Sequence, residues 1–204
     1  MKAMKRILLC ILMITVLGGV SIAGNSVVKS ETRTRENQRT SLTKEEQKEW
    51  YAPDPEVLDY YGLGKFRTTL PVIYLNTKGQ QVLKENVILG NLAVLEANGK
   101  DQSIYSVPNS LHRAAIKYRG ASSYTQFDKK QYRIRFFKDQ KEKAKDVSLV
   151  GMGENSEWVL NGPYLDKTLI RNKLVYDLAR EMNGWAPDSR FVELFADGKY
   201  QGVY

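Results

Sequence analysis

Two nearby stretches carry the side chains best suited to hold a phosphate group. Residues 119–123 read RGASS, and residues 129–137 read KKQYRIRFF. Glycine lets the backbone turn tightly against a ligand, and small hydroxyl residues offer amides and O–H groups to phosphate oxygens. RGASS matches neither G-x-G-x-x-G nor G-x-x-x-x-G-K-[ST], and a Gly/Ser turn is common in hairpins. The stretch is therefore compatible with a phosphate site or with an ordinary basic hairpin.

Lys130 is the lysine that the strand pattern singles out. In KKQYRIRFF the apolar side chains of Tyr132, Ile134 and Phe136 alternate with polar ones, and Lys130 has the parity of the apolar face, whereas Lys129 does not. A lysine on the inner side of a sheet is costly to bury unless it meets an anion. At a strand end it can instead extend its ammonium group to water, which the alternation alone favours.

A helix is predicted from about residue 169 to residue 182. Asp166 or Thr168 can cap its start, and Asn183-Gly184 predicts its end. Apolar residues recur every four positions and predict one buried stripe. These residues are Ile170, Leu174, Leu178 and Met182.

Arg171 falls within the apolar arc of this helix. An arginine there favours a carboxylate or phosphate partner, held in a bidentate pair. Asp166 and Glu193 are the candidate carboxylates near it in the sequence, and a structural ion pair is the simpler interpretation. The alternation of its own strand predicts that Glu193 lies on the polar side.

The remaining elements are predicted to be β strands. TLPVIYLN and the turn TKGQ come first, followed by two strands predicted to be joined at Asn98-Gly99. RAAIKY and KQYRIRFF follow, then a charged loop over residues 138–146. After the helix, RFVELFADGKYQGVY predicts a hairpin around Asp197-Gly198. Strands before and after one helix indicate the α+β class.

Composition excludes several kinds of chemistry. His112 is the only histidine, which excludes histidine metal clusters and Ser-His-Asp hydrolysis within this chain. The only cysteine, Cys10, lies in the predicted leader, so the rest of the chain has no disulfide scaffold. Without the leader, 28 basic residues stand against 23 acidic ones, a net charge of +5 that does not demand a nucleic-acid partner.

The chain is predicted to have three parts. Residues 1–23 resemble a secretory signal peptide, with a basic start, an apolar run and a small-residue cleavage site. An uncleaved anchor is the alternative, and the membrane is then contacted only through this leader. Residues 24–65 form a polar linker, and residues 66–204 form the folded domain. This order predicts a secreted or cell-surface location.

Four segments in this order resemble the spore coat protein H (CotH) family of atypical protein kinases. They are AAIKYRGASS, DKKQYRIRFF, EWVLNGPYLDKTLIRNKLVYDLAREM and APDSRFVELFADGKYQGVY. The resemblance covers about residues 69–204. Ala121 is a departure, because the family often has a larger polar residue there.

The resemblance implies a kinase-like N-terminal lobe, ATP and Mg²⁺ as cofactors, and phosphoryl transfer to Ser or Thr hydroxyls of surface or spore-coat proteins. By the same resemblance, Lys130 would contact the phosphates, and Arg171 would help to form the site from the helix. The resemblance also places four residues around the phosphates, namely Arg119, Gly120, Ser122 and Ser123.

The family's catalytic and metal-binding aspartates follow the G-x-Y-x-G-V-Y hairpin, so they are expected beyond Tyr204. We therefore expect a front part of a CotH-like kinase with little or no turnover of its own. A surface binding or adhesion module is one alternative. A carbohydrate-associated β domain is another, in which Tyr124, Trp158 and Tyr164 would stack on sugars.

Overall fold

The computed structural model describes residues 66–138 and 143–204. The predicted signal peptide and linker lie outside these residues, as do residues 139–142 of the predicted charged loop. Within the described ranges, no helix combines the length and the apolar character needed to cross a bilayer.

The strands form one large sheet and two short pairs. In chain order they are β1 (Arg67–Thr68), β2 (Val72–Asn76), β3 (Ile88–Leu95), β4 (Gln102–Ser103), β5 (Ser110–Arg119), β6 (Gln131–Phe136), β7 (Val147–Ser148), β8 (Glu154–Asn155), β9 (Glu157–Leu160), β10 (Glu193–Ala196) and β11 (Lys199–Val203). The large sheet has the order β11-β10-β2-β3-β5-β6-β9. Only β10 and β2 are parallel among its neighbouring strands. β1 pairs with β4, and β7 pairs with β8.

Two helices accompany the strands. α1 (Ser122–Gln126) lies in the connection between β5 and β6, where the sequence predicted only a turn. α2 (Arg171–Asn183) is the main helix. The predicted α+β class is confirmed.

The two faces of the large sheet, called inner and outer here, are packed against different groups of apolar residues. The inner face carries the larger core, which includes Ile73, Leu92 and Ile134. The predicted alternation of β6 is confirmed, since its apolar residues are buried there and its arginines are exposed on the outer face. A second core covers the outer face at the other end of the sheet, with Tyr74 and Phe195 stacked at its centre. The outer face is therefore apolar near β2 and β10 and basic near β6.

The two predicted hairpins have different outcomes. Asp197 and Gly198 both have positive φ angles and join β10 to β11, as predicted. Asn98 and Gly99 also form a turn with positive φ, but the strands on either side do not pair. After this turn the chain enters β4, which pairs with β1, while β3 pairs with β5. The prediction of a hairpin there is wrong, because a turn signal does not specify the partner of each strand.

The ends of α2 agree with the prediction, but its apolar stripe does not. Asp166 accepts a hydrogen bond from the Arg171 N–H at 2.9 Å, and Gly184 ends the helix in the left-handed region. The predicted burial of the stripe is wrong. Its four residues are 48–80% exposed, namely Ile170, Leu174, Leu178 and Met182. Helical periodicity identifies residues that share a face, and it does not show that another element covers that face.

Candidate anion-binding site

The turn after β5 is built around Gly120. Its φ angle of 103° lies in the region that side chains rarely adopt. A Cβ atom at this position would overlap the Oγ atom of Ser123 in α1. Glycine thus brings α1 back against the end of β5, and the predicted small-residue turn is a compact loop with Ser122 exposed and Ser123 half-buried.

Lys130 holds this loop from its C-terminal side. Its Nζ atom donates to the carbonyl oxygens of Tyr124 at 2.7 Å and of Phe127 at 2.6 Å. The same ammonium lies 5.3 Å from the centre of the Tyr124 ring. A lysine has three N–H donors, so one remains for a ligand while two order the loop. The structure therefore gives Lys130 a local structural role at the place where a phosphate contact was predicted.

Lys129, which strand parity did not single out, contacts the C-terminal end of the chain. Its Nζ atom donates to the Val203 carbonyl at 2.5 Å and lies 4.6 Å from the centre of the Tyr204 ring. Burial lowers the pKa of the Lys129 ammonium, and the negative charge of Glu193 opposes this shift. Residues 129 and 130 precede the first residue of β6, so strand parity does not govern them. In the sequence, only its position next to Lys130 marked Lys129 as a candidate.

Glycines make room for Lys129. A Cβ atom at Gly162 would lie 3.0 Å from Cγ of Lys129 and 3.1 Å from the Tyr204 ring. At Gly202 it would lie 3.5 Å from the Lys129 Nζ atom. Burial also raises the pKa of the Tyr204 hydroxyl, which donates to the Lys130 carbonyl at 2.9 Å. Lys129 and Lys130 thus both contact the C-terminal end of the chain, at Val203 and Tyr204 respectively.

Arg119 connects the loop to a cleft on the inner face. The cleft has a volume of about 630 Å³, and its walls include Ile134 of β6, Tyr204 and Lys173 of α2. Arg119 lies at its rim and donates to the Gln131 side chain at 3.1 Å. Pockets of about 300–1,000 Å³ with apolar walls and a few polar groups are typical of small-molecule sites. The cleft and the loop are therefore a candidate site for an anionic small molecule.

The ion-pair partner of Arg171 is Asp166, which lies outside the Gly120 loop. The Arg171 side chain is 76% exposed and forms an ion pair of 3.5 Å with Asp166. The Thr168 hydroxyl, together with backbone N–H groups, lowers the pKa of the Asp166 carboxyl. The carboxylate partner anticipated for Arg171 is present, but the pair lies on the surface and not beneath the helix.

Glu193 lies on the face of its strand opposite Leu194, as the alternation predicted, but that face is buried. Its carboxylate accepts hydrogen bonds from the Tyr200 hydroxyl at 2.6 Å and from the Thr68 hydroxyl at 3.3 Å. The outer face of β10 is covered by the second core, so both faces of this strand are inside. Alternation distinguishes two faces only when one of them meets water.

Aromatic residues predicted as alternative sugar contacts are partly used in packing. Trp158 is half-buried and donates from Nε1 to the Asn155 carbonyl at 2.9 Å. Tyr164 is stacked on Phe127 with ring centres 5.1 Å apart. Tyr124 is half-buried beside Lys130. Of the three rings, only Tyr164 is exposed, at 40%.

The described residues fit the phosphate part of an ATP site better than its metal. Within residues 66–138 and 143–204, no three His, Cys, Asp or Glu side chains come together to hold a metal ion. Arg119 offers positive charge at the rim of the cleft, which suits a phosphate group. A set of carboxylate ligands for Mg²⁺ is not formed by the described part of the chain.

The family relationship rests on the part of the chain that contains this loop. The model of the family described as CotH kinase protein matches residues 116–204. Over these residues the chain is similar to the CotH family. The resemblance noted in the sequence is thereby confirmed, although the matched range begins within β5 and not near residue 69.

A curated relative supports the same relationship. The inner spore coat protein H of Bacillus subtilis (strain 168) is 33% identical over 90 residues, which are 44% of this chain and 22% of the relative. The aligned part therefore spans less than a quarter of that CotH protein's length. No solved structure matches the chain.

Proposed function

We propose that this CotH-like chain provides the nucleotide-binding sheet of an exported, spore- or surface-associated protein kinase. In this role ATP supplies the phosphoryl group, and Ser or Thr hydroxyls of coat or surface proteins accept it. The described residues would hold the nucleotide, with Mg²⁺ bound mainly through ligands outside them. The catalytic aspartates are expected in sequence that follows the last hairpin, as the family resemblance implies.

The observation that carries this proposal is the position of Arg119 between the Gly120 loop and the inner-face cleft. A nucleotide combines an apolar ring with a charged phosphate tail. Ile134 and Tyr204 provide part of the apolar wall, and Arg119 provides positive charge at its rim. Lys130 adds a positive charge to the Gly120 loop, where it donates to the Phe127 carbonyl. Positioning and neutralising the phosphates is the main contribution of a protein to phosphoryl transfer.

Binding of ATP to the full chain tests this role. Isothermal titration calorimetry with and without Mg²⁺ should detect binding by the wild type, and Arg119→Ala should weaken it by about tenfold, a loss of about 1.4 kcal/mol. Lys130→Gln should weaken it similarly while keeping an N–H donor for the loop carbonyls. Loss of the positive charge is then separated from loss of the loop.

Lys78→Ala is the matched control, because Lys78 is an exposed residue of the turn after β2. It should change the dissociation constant less than twofold. The proposal is wrong if the wild type does not bind ATP. It is also wrong if Arg119→Ala and Lys130→Gln both bind ATP as tightly as the wild type does. Circular dichroism melting should show that each variant keeps the fold.

A further inference from the structure

The outer face of β5, β6 and β9 carries a row of positive charges. The strand register places on this face Arg113, Lys117, Arg119, Arg133 and Arg135. Glu157 of β9 is the one acidic residue that the register of these three strands adds. Five cations and one anion leave an excess of four positive charges on one sheet surface. We call this surface the basic face.

Pairing within the strands does not neutralise the basic face. Lys117 stands directly opposite Arg133, and like charges in that relationship destabilise a sheet. Glu157 forms an ion pair with Arg133 at 2.5 Å. In the described part of the chain, no other ion pair involves a residue of this face. A partner that supplies negative charge would relieve this repulsion.

The basic face is concave near its edge. A groove of about 680 Å³ is lined by Lys117, Arg119, Arg133, Glu157 and Val159, with Lys84 at its rim. Lys117 and Arg133 line the groove and not the apolar cleft, and both have the parity of the outer face. The groove adjoins the candidate nucleotide cleft along β9, because both are lined by Arg119, Asn155, Glu157, Trp158 and Val159.

We propose that the basic face, which includes this groove, binds an extended peptide with negative groups on alternate residues. Lys117 and Arg119 are two residues apart on β5, and Arg133 and Arg135 are two residues apart on β6. Such residues are separated by about 6.6–6.8 Å along a strand, which is the repeat of same-face side chains in an extended peptide. Carboxylates or phosphates at that repeat would meet successive cations, and Arg binds both groups in a bidentate manner.

The same face fits single-stranded nucleic acid less well. Nucleic-acid grooves combine positive charge with aromatic rings on which bases stack. Tyr118 and Trp158 line the groove, but both rings are half-buried. Tyr118 packs against Tyr124 and Tyr132, and Trp158 Nε1 donates to the Asn155 carbonyl, so neither ring presents a free face for a base. The neighbours of the cations on the outer face are Ala115, Gln131 and Val159. A peptide partner therefore suits the chemistry of the basic face.

Fluorescence anisotropy with labelled peptides tests the proposal on the full chain. The probes are a short peptide in which Asp alternates with Ala, its phosphoserine version, and a peptide of identical composition with the Asp residues in one block. At least one alternating peptide should bind, and it should bind at least about tenfold more tightly than the block peptide, a difference of about 1.4 kcal/mol. Lys117→Glu/Arg135→Glu should weaken this binding by a similar factor.

The control variant is Lys78→Glu/Lys100→Glu, which makes the same change in net charge at two exposed turn residues. It should weaken binding less than twofold. Lys117→Gln/Arg135→Gln replaces the Glu variant if melting curves show that the latter does not fold. The proposal is overturned if neither alternating peptide binds, if the block peptide binds equally well, or if the control loses as much affinity. Tighter binding of an oligothymidylate or of polyphosphate would also overturn it.

Discussion

The Nζ atom of Lys129 lies 2.5 Å from the carbonyl oxygen of Val203, 74 residues further along the chain. This contact joins two of the segments on which the CotH resemblance rests, DKKQYRIRFF and the hairpin that ends in GVY. The Tyr204 hydroxyl adds a second link by donating to the Lys130 carbonyl. The resemblance therefore reflects a tertiary contact and not only a set of separate strands.

The first prediction concerns the pH dependence of the Lys129 contact. Because burial lowers the pKa of Lys129, the folded chain releases this proton at a lower pH than the unfolded chain, for which the pKa is 10.5. Between those two values the unfolded state binds more protons, so stability rises with pH. Relative to Lys129→Met, the wild type should gain stability as the pH approaches 10.5 from below. Urea unfolding across this range measures the difference.

The matched control for that experiment is Lys78→Met, at an exposed turn lysine. The difference between the wild type and Lys129→Met should change more with pH than the difference between the wild type and the control. If the two differences run parallel, Lys129 is solvated in the folded chain and the contact with Val203 is weak.

The second prediction concerns Gly120. Gly120→Ala should cost about 1–3 kcal/mol, because a side chain is strained at this positive φ and overlaps Ser123 Oγ. Adding Ser123→Ala should recover part of that loss by removing the overlap while leaving the strain. Gly79→Ala is the control, since Gly79 has a φ of 73° and open space around it. Equal costs for the two glycines in urea unfolding would contradict the close approach of α1 to β5.

The sequence predicts local features of this fold better than its pairings. The start of α2, the left-handed residue at its end and the Asp197-Gly198 turn depend on neighbouring residues, so they can be read locally. The pairing of β4 with β1 joins strands that are 34 residues apart. Neither two-residue strand has a sequence pattern that identifies its partner. The burial of Glu193 likewise depends on Thr68 and Tyr200, which meet it only in the folded chain.

The candidate site shows the same division. Gly120 and its small neighbours were identified from residue type alone, and the structure places them in one loop with Lys130. The choice between Lys129 and Lys130 depended on strand parity, which fails before the first residue of β6. The separate roles of the two lysines arise from Tyr124 on one side and Val203 on the other.

The third prediction concerns stability in alkaline solution. Burial raises the pKa of Tyr132, Tyr200 and Tyr204 above the usual value of 10.0. The folded chain then keeps phenolic protons that the unfolded chain releases, so stability should fall as the pH rises above about 10. Tyr200→Phe should reduce this fall, although at neutral pH it removes a donor from Glu193 and costs about 1–3 kcal/mol. Urea midpoints at about pH 8 and about pH 11 give both effects.

A control substitution tests whether removing an exposed tyrosine hydroxyl also changes the loss of stability at alkaline pH. Tyr164 is 40% exposed, and Tyr164→Phe should leave the alkaline fall in the urea midpoint unchanged. If Tyr200→Phe also leaves it unchanged, the Tyr200 hydroxyl is not held by Glu193 in solution.

The fourth prediction compares two leucines. Leu92 is 1% exposed in the inner-face core, and Leu178 is 48% exposed on α2. Leu92→Ala should cost about 2–5 kcal/mol through lost burial and a cavity. Leu178→Ala should change stability by less than about 0.5 kcal/mol, because little covers this side chain. Chemical unfolding of both variants measures the contrast, and comparable costs would mean that the stripe on α2 is covered in solution.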